Sequence, residues 1–182
     1  FDPGAGSWSY VGRDNLNIRD PFQRTMNFGW ALNTPYGRDT AMHEIGHALG
    51  LEHEHQNPFA GISWDTDAVR RYFQGPPNNW DAQTIDWNIL RKISPAEVKG
   101  TNWDPDSVME YAFGPGLITE PAAYRGGLQP KGGLSAADKA WIVVSYPGVG
   151  PTQEIPALEV GLSQKLAIKA GETRVFNFTP TR

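Results

Sequence analysis

The sequence contains no cysteine. Disulfides, thiol nucleophiles and thiolate zinc sites are therefore excluded, and any metal chemistry must use His, Asp, Glu or Tyr. No run approaches the roughly 20 apolar residues that a membrane helix needs, so no membrane span is expected. Positive charge is not in excess: the net charge is −4 at pH 7, which argues against a nucleic-acid footprint. Phe1 to Ser9 show no basic region followed by an apolar stretch, so no signal peptide is recognised there. The first residue is not Met, which fits a leader already removed, and a secreted or extracellular location is expected. Histidine is scarce as well. All four copies fall between positions 43 and 55.

The sequence is rich in turn formers, with 20 glycines and 15 prolines among its 182 residues. Seven tryptophans are spread from Trp8 to Trp141, a distribution expected of core and groove walls rather than of a carbohydrate platform. Residues 8–11, 16–18 and 26–32 alternate apolar with polar or small side chains, which predicts short strands. Asn33 to Gly37 reads as a turn. Asp39 or Thr40 then caps a helix over about 41–49, with Met42, Ile45, Ala48 and Leu49 as its apolar face and Gly50 as its stop. Further helices are predicted over 66–74, 80–93 and 136–146. Their buried faces are Ala68, Val69, Tyr72 and Phe73; Ala82, Ile85, Ile89 and Ile93; and Ala140, Trp141 and Val144, respectively. Ser135 and Asp138 resemble a capping box at the start of the last helix. Residues 100–133 show no period and read as an ordered loop region, a place where function concentrates. Pro147 to Pro151 reads as a linker. Residues 166–168 and 175–178 read as two strands of a truncated β module or docking tail. Two domains follow, 1–147 and 148–182.

The informative stretch is His43-Glu44-Ile45-Gly46-His47, followed by Gly50 and His53. His43 and His47 lie four apart on a predicted helix, so both rings leave one face. That spacing suits two nitrogen ligands of one Zn²⁺. Glu44 is turned about 100° around the helix, where it can reach a water on the metal. Gly50 lets the chain turn so that His53 returns as a third ligand, which leaves a position open for water. On ordinary residue usage the full pattern arises by chance in roughly 10⁻⁵ of chains this long. Downstream, Ser107-Val108-Met109-Glu110-Tyr111 resembles the methionine turn that follows such a zinc pattern in one clan of peptidases, which implies Met109 beneath the imidazoles and Tyr111 near the metal.

These residues resemble the metzincin clan of zinc metalloendopeptidases, and within it the astacins, with matrixins and serralysins as near alternatives. The astacin likeness is carried by His43 to His53 followed directly by Glu54, by Ser107 to Tyr111, by Trp8 to Arg13, and by Leu134 to Asp138 ahead of a helix ending at Tyr146. It covers about residues 8–147. The sequence departs from the astacin pattern in having no cysteine and in carrying His55-Gln56-Asn57-Pro58 where an arginine is usual. The resemblance implies an α+β, metzincin-like zinc-peptidase domain. In it a twisted sheet and the active-site helix stand above a loop-rich, helix-containing lower subdomain. It also implies a longer upper part than the 42 residues before His43 supply. A separate N-terminal fragment or a propeptide of the same protein is therefore expected as a partner beside the protein or peptide substrate.

The expected activity is peptide-bond hydrolysis with Glu44 as general base and acid and with zinc on His43, His47 and His53. By resemblance, Tyr111 is an additional zinc ligand that swings to the oxyanion, and Glu54 anchors a buried polar network. One strand within 16–32 is expected to be the edge that aligns an extended peptide. His55 is expected to be a bystander. Calcium is a second candidate cofactor, at Asp65, Asp67, Asp81, Asp104 and Asp106. The alternative function is a non-catalytic metzincin-like binding module that recognises its partner through a Trp-lined groove.

Overall fold

The computed structural model describes residues 1–98 and 102–148. The chain divides into two units, Phe1–Ala140 and Trp141–Arg182, and everything that bears on the site lies in the first. The candidate strands at 166–168 and 175–178 lie outside the described residues.

The first unit opens with two very short strands, β1 (Trp8–Ser9) and β2 (Met26–Asn27), paired antiparallel with Trp8 opposite Asn27. Between them, Gly12–Asn17 winds as a 3₁₀ helix rather than as the predicted strand. Its apolar Leu16 is exposed, so the alternation seen in the sequence buries nothing there. Asn27 closes the entry segment, donating from Nδ2 to the carbonyls of Asp2 (2.9 Å) and Gly6 (2.6 Å).

Helix α1 (Pro35–Ala48) begins six residues before the expected start. Thr34 is its N-cap: Thr34 Oγ1 accepts from the Gly37 N–H at 2.9 Å, and Pro35 stands at the first helical position, where its missing N–H costs nothing. The Thr-Pro pair is thus a helix start, not a turn. Thr40, one candidate cap, is instead buried inside α1. It donates to the Tyr36 carbonyl and accepts from Trp30 Nε1, each at 2.9 Å. The helix stops as expected at Gly50, whose φ is +92°. Leu51 N–H reaches the Gly46 carbonyl (2.9 Å) and Gly50 N–H the His47 carbonyl (2.8 Å), the paired bonds of a Schellman ending.

The hydrophobic core lies after α1 in sequence. Ile62, Val69, Phe73, Ile85, Ile89, Phe113, Ile118 and Leu128 form it, with Trp64, Trp80 and Trp103 packed against it. Helix α2 (Thr66–Gln74), capped by Asp65 onto Ala68 N–H, supplies Val69 and Phe73, while Tyr72 is 54% exposed. Helix α3 (Ala82–Ile85), capped by Asp81, continues as a π-helical turn over Asp86–Leu90. Ile85 and Ile89 thereby keep one buried stripe although the predicted single helix is broken. Strand β3 (Ser63–Trp64) pairs antiparallel with β4 (Ile118–Glu120), so part of the predicted loop region is sheet. Among the described residues, the expected twisted sheet is represented by two two-stranded antiparallel ladders.

Helix α4 (Ala136–Ser145) starts where its capping box predicts, with Asp138 N–H on Ser135 Oγ and Ser135 N–H on Asp138 Oδ2. Its predicted inward face is not the buried one: Ala140 is exposed and Val144 is 79% exposed. The buried residue of the helix is Asp138, held inside by hydrogen bonds rather than by apolar contact.

Candidate metal centre

Three of the four histidines converge. One nitrogen from each of His43, His47 and His53 lies within 4.8 Å of the others, and among the described residues this is the one group of three or more His, Asp or Glu able to hold a metal. His43 and His47 come from one face of α1, as the spacing predicts. His53 returns through the Gly50 turn.

The hydrogen bonds fix the tautomers. His43 Nδ1 lies 2.7 Å from the Val108 carbonyl and His47 Nδ1 lies 2.8 Å from the Leu51 carbonyl. A carbonyl can only accept, so both Nδ1 atoms carry the proton and both Nε2 atoms present lone pairs. Gln56 donates its amide N–H to the Trp87 carbonyl, which leaves its amide oxygen for His53. The Nε2 atoms of His47 and His53 are then two acceptors only 3.1 Å apart. Ligands on a small tetrahedral ion sit roughly 3.3 Å apart, so a cation between the rings resolves a contact that otherwise repels. The donor set fits zinc. Burial also keeps the rings neutral, as metal ligands must be. The pKa of His43 falls to about 4, through desolvation first and His47 second; His47 is lowered and His53 falls well below the usual range, desolvation leading in each.

Glu44 is 5% exposed and its Oε2 has no hydrogen-bond partner. Desolvation raises its carboxyl to about 7. A buried carboxylate oxygen left without a donor is uncommon and asks for a ligand, water or substrate. Tyr111 stands over the cluster, its ring 4.5 Å from His53 and 5.6 Å from His43. Desolvation, and then the nearby Glu44, push its hydroxyl upward, so it remains a donor. Met109 is buried beneath α1: a Cβ on Gly46 would lie 2.5 Å from its Sδ. Glu54 accepts from Asp104 N–H (3.2 Å) and Asn57 Nδ2 (3.3 Å), and burial raises its carboxyl to about 7.

Two parts of the surroundings were not expected. His55, expected as a bystander to the metal, stays outside the three-histidine group but is 1% exposed and packed against it. Its ring stacks on His53 (5.1 Å) and packs at a tilt against Tyr111 (5.0 Å), and its Nε2 donates to the Asn88 carbonyl at 2.8 Å. Glu110 lies opposite: Oε1 is 3.4 Å from His55 Nδ1 and accepts from Tyr111 N–H, while Oε2 accepts from Trp103 Nε1 at 2.7 Å. Sequence spacing could have flagged Glu110, which sits inside the methionine turn, but nothing local marks its partners. The aspartates considered for calcium have other partners in part: Asp65 and Asp81 cap helices, and Asp106 pairs with Lys131.

The chain is 37% identical to myroilysin over 82% of its own length and 71% of that protein's, and the two structures superpose with a TM-score of 0.72. The chain belongs to the myroilysin family. A second myroilysin structure gives 36% identity over 81% of this chain and 64% of that one, with a TM-score of 0.53. Comparison with family models and with curated proteins gives no match. The fold shared with myroilysin is that of a metzincin-like peptidase, with mixed helix and small antiparallel sheets. Together with the three-histidine group, membership of this family supports a metalloprotease. No helix among the described residues is long and apolar enough to cross a membrane.

Proposed function

We propose that this chain is an astacin-like zinc endopeptidase that acts outside the cell on protein or peptide substrates. The observation that carries the reading is the pair of lone-pair nitrogens 3.1 Å apart, on His47 and His53, beside the unpartnered Glu44 Oε2. His43, His47 and His53 hold the metal. Zinc bound there supplies Lewis acidity toward a water and toward the scissile carbonyl.

The rest is done by the chain's own residues. Glu44 takes a proton from the attacking water and delivers it to the leaving amine. A carboxyl raised to about 7 suits a group that must both accept and return a proton near neutrality. Tyr111 donates its hydroxyl hydrogen to the oxyanion that develops on the carbonyl oxygen, and burial keeps that donor protonated. Glu54 accepts from Asp104 N–H, just after Trp103, and from Asn57 Nδ2, so that its role is structural. Met109 supports α1 from below. The edge of β2 turned away from β1 is the place where an extended substrate aligns, by strand addition.

Glu44→Gln tests the scheme. The variant keeps one zinc per chain by elemental analysis and loses cleavage of an unfolded protein substrate by at least a hundredfold. Cleavage at the parent rate removes Glu44 from the chemistry. Cleavage that survives complete zinc removal overturns the metal reading.

A further inference from the structure

A line of hydrogen bonds runs from His43 into helix α4. His43 Nδ1–H donates to the Val108 carbonyl at 2.7 Å. The N–H of the same peptide plane, that of Met109, donates to Ser107 Oγ at 3.0 Å. Ser107 Oγ–H donates to Asp138 Oδ1 at 2.7 Å. Each bond points the same way, and each donor belongs to the group that accepts the previous bond. Asp138 is 6% exposed, and its Oδ2 accepts from Val108 N–H and Ser135 N–H, both at 2.9 Å. Three donors thus aim at one buried carboxylate. Ser107 is 1% exposed, so water does not compete along the line.

We propose that Asp138 and Ser107 are positioning residues of the metal centre, forming a relay that orients His43 and strengthens it as a ligand. The inference rests on the zinc reading above. Metal-binding histidines commonly donate their second N–H to a carbonyl or a carboxylate, which fixes the ring and raises its basicity. Here the carbonyl is backed by a carboxylate two bonds further on, and aligned bonds in a buried chain polarise one another. Asp138 also ties α4 to the methionine turn, so the closing helix contributes to the ligand set without touching the metal.

The test uses the full chain and four proteins: parent, Ser107→Ala, Asp138→Asn and the double variant. The Asp138→Asn change retains the outline of the side chain. The new amide oxygen faces the Val108 and Ser135 N–H groups, but the amide N–H reverses the bond to Ser107. Zinc affinity is measured by competition with a chromophoric chelator. The His43 Nδ1–H proton is followed by NMR. The expected result is a loss of affinity of about tenfold or more in each single variant. The double variant should be no weaker than the weaker single, because both changes cut one line. The His43 proton should move upfield in all three variants, with the fold retained by circular dichroism. Unchanged affinity, additive losses, or an unmoved His43 proton overturns the relay. Parent protein that takes up no zinc overturns the metal reading instead, and the His43 proton alone then decides the relay.

Discussion

Gly46 shows what a single position contributes. It stands between the two helical histidines and, in the sequence, looks like an ordinary weak point of a helix. In the fold it is the place where α1 rests on Met109, with no room for a methyl group. Gly46→Ala is expected to cost about 1–3 kcal/mol, because α1 or Met109 must shift. Urea unfolding of the metal-free protein checks this. Tyr111 carries a different kind of prediction. Tyr111→Phe keeps the ring packed against His53 and His55 and removes only the hydroxyl. A drop in kcat of about 10²–10³ with KM changed little is the expected outcome in steady-state kinetics, as for loss of an oxyanion donor. The three converging histidines were legible because helical spacing and a glycine stop are local features. His55 was not legible as a buried residue. Its burial is set by Asn88, Glu110 and Phe113, all distant in sequence.

At the level of elements, the caps decide the boundaries. Thr34 and Pro35 start α1 earlier than its apolar pattern suggests, because the first turn is fixed by backbone satisfaction rather than by burial. Thr34→Ala should therefore lower stability by about 1 kcal/mol, and Thr34→Asp should recover most of it. Thermal melts of the three proteins read this directly. Helix α4 begins where its Ser135 cap predicts, and α2 begins at its Asp65 cap, since a cap is a property of three or four neighbouring residues. The strands are harder to read. Alternation in residues 16–18 suggests a sheet that the chain replaces with a 3₁₀ turn, and β3 and β4 arise in segments without a clear period. Pairing depends on what lies opposite, and the opposite segment of β3 is more than fifty residues away.

For the whole molecule, the site rests on a core built after it in the chain. Phe113 packs against His55, Trp64 and Phe73, and its neighbour Tyr111 faces the histidines. Phe113→Ala should cost about 3–5 kcal/mol and weaken zinc binding as well, because the wall behind His55 and Tyr111 is lost. Calorimetry and chelator competition on the same variant measure the two effects. Metal removal acts on the same scale. Zinc in thousandfold excess over its Kd adds about 4 kcal/mol of stability, so chelation should lower the melting temperature clearly.

The sequence alone determined the parts whose physics is local. Helical spacing brought His43 and His47 to one face, Gly50 turned the chain at positive φ, and Ser135 with Asp138 opened the last helix. Tertiary structure decided the rest. It buried Glu44 without a donor, enclosed His55, set Met109 beneath Gly46, and joined Asp138 to His43 through the methionine turn. These outcomes depend on groups that desolvation makes strongly interacting once the chain has brought them together from distant positions. No pattern in the residues next to them records which partner will arrive.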